Sequence, residues 1–433
     1  MIPLVIITIC SIAYTSLIFV NKELSVYYFI PYNYLFDLIF FTSSEGLATV
    51  STLLRVLVLF VFFFKLIEER FVNVSKPAFG AFIGVSSILF ISSIFGSHDM
   101  KSFLESLKFS LIIFSFFSFF IFFSYQSINA TMFKRMILLL AMITILNILL
   151  SNIFSFGWGG YGDNVGFYTG GIISNMWYIP ALILMAAVAA LQFDHKESNL
   201  ALSLASIVVL LILIVALRRS AYIILVISIV GALLFLKINL KVIRIGVGIG
   251  LLLALGSPFF LPVFERQIEA RNKTFDKGVE EESRVKETSV IWQERLDAPS
   301  AFTFLFGTKP FNSTGNYGNG SFGDRPLHVD LNIIFFSSGL VGLILYGLFY
   351  LTIFIRYWTL SSKMPEGYKN IYVFRYLFFS AFFSLVAMSF SGGLNAITFR
   401  MFGFLLVAIA LGQMNFINAN RKMSIQNLKI TTS

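Results

Sequence analysis

The residues of this chain best suited to chemistry stand between positions 325 and 347. His328 and Asp330 close the one long polar segment, in Arg325-Pro326-Leu327-His328-Val329-Asp330-Leu331-Asn332, and an apolar run then leads to Gly339-Leu340-Val341-Gly342. A neutral imidazole can take the proton of an attacking hydroxyl near neutral pH. Asp330, two residues on, is the candidate for fixing its tautomer. Four arginines, Arg55, Arg218, Arg219 and Arg400, fall inside or at the outer ends of apolar stretches. A charge there costs roughly 2.5 to 3.5 kcal/mol on insertion scales, so each raises a functional hypothesis. Several guanidiniums at one depth suit a phosphate or diphosphate, because the planar fork donates two bonds at once and keeps its charge. The competing reading makes Arg218-Arg219 an interfacial turn that reaches lipid headgroups. For Arg55 and Arg400 it is a buried structural pair, with Asp37 or with a backbone carbonyl.

Other chemistries find no support. The chain holds 3 histidines and a single cysteine, Cys10, so no intramolecular disulfide and no cysteine-based metal site can be assembled. The histidines lack metal-ligand spacing, and Gly-rich phosphate loops, GxSxG and HExxH are absent. Neither a metal nor a cofactor is expected. The net charge of +10 is spread over short loops between apolar runs, which points to the orientation of membrane spans and away from nucleic acid.

The elements that must position these residues are membrane helices. Hydrophobic residues make up 57% and charged residues 12% of the 433-residue chain, and the mean hydropathy is +0.84, outside the range of soluble domains. A hydrocarbon core of about 30 Å needs about 20 apolar residues per helix. Such stretches lie near residues 2–20, 26–41, 48–64, 78–96, 107–125, 136–151, 171–192, 199–217, 220–236, 244–262, 331–355, 373–390 and 396–412. The fold class is therefore all-α and polytopic, one transmembrane domain over residues 1–433 with about 12 spans (12 or 13), the open case being the short 26–41. The 52 phenylalanines read as lipid-facing bulk. Basic loops place the C-terminal tail and residues 356–375 on the cytoplasmic side, and the long loop 263–328 on the opposite side. That loop begins as a charged, helix-favouring stretch from Glu265 to Asp297, carrying Arg284 and Arg295, and turns Gly-, Asn- and Ser-rich from Gly307 to Gly323. Most of its charges read as a solvated helix face.

His328, ten residues, and Gly339-x-x-Gly342 at the head of an apolar span resemble the signature of the bacterial O-antigen ligase and Wzy-type O-antigen polymerase superfamily, where that pattern closes a large periplasmic loop. Arg218-Arg219-Ser220-Ala221-Tyr222 is similar to the family's Ser/Arg-Arg-x-Ala helix start. Val329 stands where the ligase pattern has Asn, Ser or Gln, which favours a polymerase. The resemblance implies a GT-C-like glycosyltransferase of the bacterial inner membrane. It would move a growing glycan from undecaprenyl diphosphate to the next lipid-linked repeat unit on the periplasmic face, without a metal. It further implies His328 as general base or acceptor-orienting group, Arg218 and Arg219 as diphosphate ligands, and Arg295 or Arg284 as a second ligand from the loop; Arg55 and Arg400 join them as candidates. The partners implied are the undecaprenyl-diphosphate-linked oligosaccharide, the lipid bilayer and a chain-length regulator protein. Two alternatives stay open: a ligase that passes the glycan to lipid A core, and a glycolipid flippase or transporter.

Overall fold

The computed structural model describes residues 2–40, 45–67, 76–96, 100–154, 178–193, 199–216, 218–236, 265, 283–307, 327–364, 368, 370–392 and 396–431. Among them all regular structure is helical: α1 (Ile2–Val20), α2 (Lys22–Phe40), α3 (Glu45–Ile67), α4 (Lys76–Gly96), α5 (Met100–Tyr125), α6 (Ala130–Ile153), α7 (Tyr178–Phe193), α8 (Leu200–Ala216), α9 (Arg219–Phe235), α10 (Ser283–Leu296), α11 (Ala301–Phe306), α12 (Asp330–Ser362), α13 (Ile371–Ser391) and α14 (Ile397–Thr431). Five stretches, in α5, α6, α12, α13 and α14, are long and apolar enough to cross a membrane, and α1, α4, α7, α8 and α9 contain shorter apolar helices. By length and composition these are the helices of a membrane protein. The apolar segment 244–262 lies outside the described residues.

The bundle is built on α14, which packs along α5 and α13, with α4 against α12 and α9 against α13. Its interior is aromatic. Phe29, Phe62, Phe63 and Phe119 are buried to 0% exposure and stack on one another at ring separations of 4.5 to 6.2 Å. Phe116, Phe349 and Phe404 form a second such cluster. Many phenylalanines expected to face lipid thus hold helices together instead; edge-to-face pairs add about 0.5 to 1.5 kcal/mol each beyond burial. The doubtful segment 26–41 forms α2, with Pro31 inside it. Val26, Tyr27, Phe29, Ile30, Asn33 and Tyr34 are buried, so α2 is part of the bundle and does not lie on its surface.

The apolar run 331–355, read as one span, is two arms. Gly339 takes φ 65° and ψ −164°, a combination that glycine alone adopts without strain. The bend is large. Arg400 touches both Asp330 and Tyr350, although a straight helix would separate those two residues by about 30 Å. The first arm, Asp330–Ser338, is buried at every position except the half-buried Leu331. The second arm, Leu340–Ser362, spans roughly 34 Å at 1.5 Å per residue, a membrane-crossing length. It runs antiparallel to α13, with Tyr346 bonded to Ser389 (3.1 Å) near one end and Tyr357 stacked on Phe378 (3.9 Å) towards the other.

Helices α10 and α11 lie along the first arm. Trp292 packs on Phe335 at 4.6 Å. A Cβ on Gly339 would stand 2.5 Å from the Leu305 carbonyl, and one on Gly307 would run into the carbonyl of Ser337. The chain therefore breaks at Gly339, where two backbones meet directly.

Candidate functional site

Val329 is the N-cap of α12 and offers no side-chain acceptor, although the first N–H groups of any helix need one. Glu287 of α10 supplies it. Its carboxylate accepts from the backbone N–H of His328 (3.0 and 3.1 Å) and of Val329 (3.1 Å), and from the Asn332 amide (3.3 Å). Asn332 also donates to Thr288 Oγ1 at 2.9 Å. Helical spacing explains why α10 can do this: Arg284, Glu287, Thr288, Ile291 and Arg295 share one face. Glu287 and Ile291 are fully buried. The stretch read as a solvated charged helix is therefore amphipathic, with its most important charge turned inward.

Glu287 is ionised at neutral pH. Burial by itself would raise its carboxyl, but hydrogen bonds from the His328 side chain, the Val329 and His328 backbone N–H groups and Asn332 together hold it below the ordinary glutamate value. The N-terminal end of a helix dipole adds to the preference for an anion. The imidazole Nδ1 of His328 lies 3.5 Å from the same carboxylate, and its side chain is 45% exposed. His328 is thus reachable from outside the bundle while anchored from within.

Asp330 does not serve His328. It is fully buried in an ion pair with Arg400, whose other terminal nitrogen donates to the Leu385 carbonyl at 2.9 Å and approaches Ser389 and Tyr350. Arg55 is equally committed. Its Nε donates to Asn33 (2.9 Å), one terminal nitrogen pairs with Asp37 and the other donates to Thr398 (2.8 Å), which closes the ring onto Asp37. Arg55 thus sits in a buried pair with Asp37, while Arg400 bonds a backbone carbonyl but pairs with Asp330, so both guanidiniums are engaged inside the bundle. Arg295 is 2% exposed. It donates to the Phe336 carbonyl, one of those left without a helical partner by the break at Gly339, and lies 4.9 Å over the Phe336 ring; its own burial lowers its pKa.

Arg284 differs from these. It is half-buried, and its guanidinium donates to Ser391 Oγ at 3.2 Å and makes no other hydrogen bond among the described residues. Ser391 ends α13, and a Cβ on the next residue, Gly392, would collide with the His328 carbonyl. Arg284 and His328 therefore both meet the C-terminal end of α13. Arg218 is the N-cap of α9, half-buried; the side chain of Arg219 lies outside the described residues. Tyr178 of α7 packs on Phe399 and Phe193 on Phe374, so α7 runs against α13.

Sequence reasoning missed Glu287. The signal was the apolar and polar stripe at 284, 287, 288, 291 and 295, which a count of helical spacing would have found. No protein-family model matches the sequence, and no curated protein matches it significantly. Among the described residues no three His, Cys, Asp or Glu side chains gather as a metal site would require.

Proposed function

We propose that this chain is an O-antigen polymerase, a membrane glycosyltransferase with about 12 spans and a GT-C-like arrangement that works on the extracytoplasmic face of a bacterial inner membrane. The observation that carries the reading is an exposed His328 whose ring rests on an ionised, buried Glu287, beside Arg284 at the end of α13. An imidazole so placed serves as base for a sugar hydroxyl. Arg284, with Arg218 and Arg219 at the start of α9, stabilises the charge that builds on a departing undecaprenyl diphosphate. Arg55, Arg295 and Arg400 support the helices that carry these groups. The donor keeps its polyprenyl tail in the bilayer and its glycan in water, which suits a site at the ends of membrane helices. A chain-length regulator protein would act on the same product.

The test is polymerisation of a purified undecaprenyl-diphosphate-linked repeat unit by the protein in liposomes. His328→Ala is expected to leave no ladder of chain lengths, and Arg284→Ala to slow polymerisation about 100-fold, the usual loss for one transition-state donor. A normal ladder from both variants would remove the reading. A single capped lipid on addition of lipid A core would make the protein a ligase, and movement of the lipid across the bilayer without bond formation would make it a flippase.

A further inference from the structure

We infer that Glu287 is a positioning residue that holds His328 in the tautomer protonated at Nδ1, so that Nε2 is the nitrogen that meets the acceptor hydroxyl. This inference rests on the glycosyltransferase reading for its chemistry, but its geometry stands alone. A single carboxylate binds His328 twice, through the backbone N–H at 3.0 and 3.1 Å and beside ring Nδ1 at 3.5 Å. Binding main chain and ring of one residue to one anion restricts the side-chain rotamer as well as the tautomer. Glu287 is itself fixed. It accepts from Val329 and Asn332, and Asn332 is held in turn by Thr288. An ionised carboxylate only accepts hydrogen bonds, so the nitrogen facing it carries the proton and the opposite one has a free lone pair. That opposite nitrogen belongs to a side chain that is 45% exposed.

In the reaction, the acceptor oxygen forms its bond to the anomeric carbon as the bond from that carbon to the diphosphate oxygen breaks. The diphosphate leaves with the electron pair, the hydroxyl proton moves to Nε2, and the resulting imidazolium sits against Glu287 until it releases that proton to water. Asp330 was the sequence candidate for this positioning role. Its commitment to Arg400 hands the role to a residue 41 positions upstream of His328.

The tautomer is directly measurable. The chain has 3 histidines, so ¹⁵N-histidine-labelled protein in nanodiscs gives a spectrum in which His328 is assigned by loss of its signals in His328→Ala. The wild type is expected to show His328 protonated at Nδ1 at neutral pH. Glu287→Gln, which puts an amide donor at that position, is expected to shift His328 toward the Nε2-protonated form and to lower kcat about 100-fold, with KM for the lipid-linked repeat unit changed less than about 3-fold. Glu287→Asp should recover part of kcat. An Nε2-protonated wild type overturns the inference without any variant, and so does a Glu287→Gln protein whose tautomer and kcat are unchanged. If instead His328→Ala still polymerises while the wild-type tautomer is as expected, the glycosyltransferase role of His328 falls and the positioning by Glu287 stands.

Discussion

At the scale of single residues, the buried charges sort by what surrounds them. Asp330 and Arg400 are 0% and 1% exposed, and each is affordable only beside the other. Asp330→Asn or Arg400→Gln alone leaves an uncompensated charge, and each is expected to destabilise the protein by about 3 to 5 kcal/mol. The double variant should lose clearly less than the sum, because the two positions touch. Thermal unfolding of the four proteins in one detergent measures this, and simple additivity would mean that the pair is not coupled. His328 is the opposite case: its side chain is 45% exposed, and without the ring Glu287 still accepts from the backbone N–H groups of residues 328 and 329 and from the Asn332 amide. His328→Ala should therefore abolish product while the protein accumulates in the membrane at wild-type levels.

At the scale of elements, the break in α12 decides what α10 and α11 can reach. A side chain at Gly339 would both require φ near 65° and press on the Leu305 backbone, so Gly339→Ala should cost about 1 to 3 kcal/mol in strain and loosen the first arm. Gly347 makes the natural control, since it lies in the same helix with open space around its would-be Cβ; Gly347→Ala should change stability by no more than about 1 kcal/mol, in the stabilising direction. The docking of α10 carries a pH dependence of known sign. The Glu287 pKa is lowered in the folded protein, so its contribution is fully present above the unfolded glutamate value of about 4.3 and is lost as pH falls through the lower folded value. Hydrogen exchange of α10 should accelerate in that acid window while α14 stays protected, and Glu287→Gln should flatten the dependence.

At the scale of the whole molecule, the bundle has two unlike ends. One gathers His328, Glu287, Arg284 and the end of α13 at Ser391 and Gly392. The other carries Arg375, bonded to Ser361 at 2.9 Å, and an aromatic cavity of about 440 Å³ between α9, α12 and α13. If the second arm of α12 crosses the bilayer, these ends lie on opposite faces. A cysteine-free background, Cys10→Ser, makes this measurable: cysteines at Phe302, 65% exposed, and at the exposed Ser362 should react with an impermeant thiol reagent from opposite sides of sealed vesicles. Labelling of both from one side would contradict the topology.

Hydrophobic runs of the length of a bilayer can hardly be anything but helices, because unsatisfied backbone groups are intolerable in hydrocarbon. For that reason composition and run length alone settled the all-helical membrane character and the placement of the long polar segment before α12, whereas the break at Gly339 inside that apolar run came only with the tertiary structure. Periodicity along α10 also held, unread, the face that carries Glu287. What no run length reveals is which buried charge meets which. Asp330 stands two residues from His328 in the chain yet pairs with Arg400, 70 positions on, whereas Glu287 reaches His328 across 41. Pairing of that kind is decided by where helices cross and by the need of every buried charge for a partner, and both exist only once the α12 arm has folded back at Gly339.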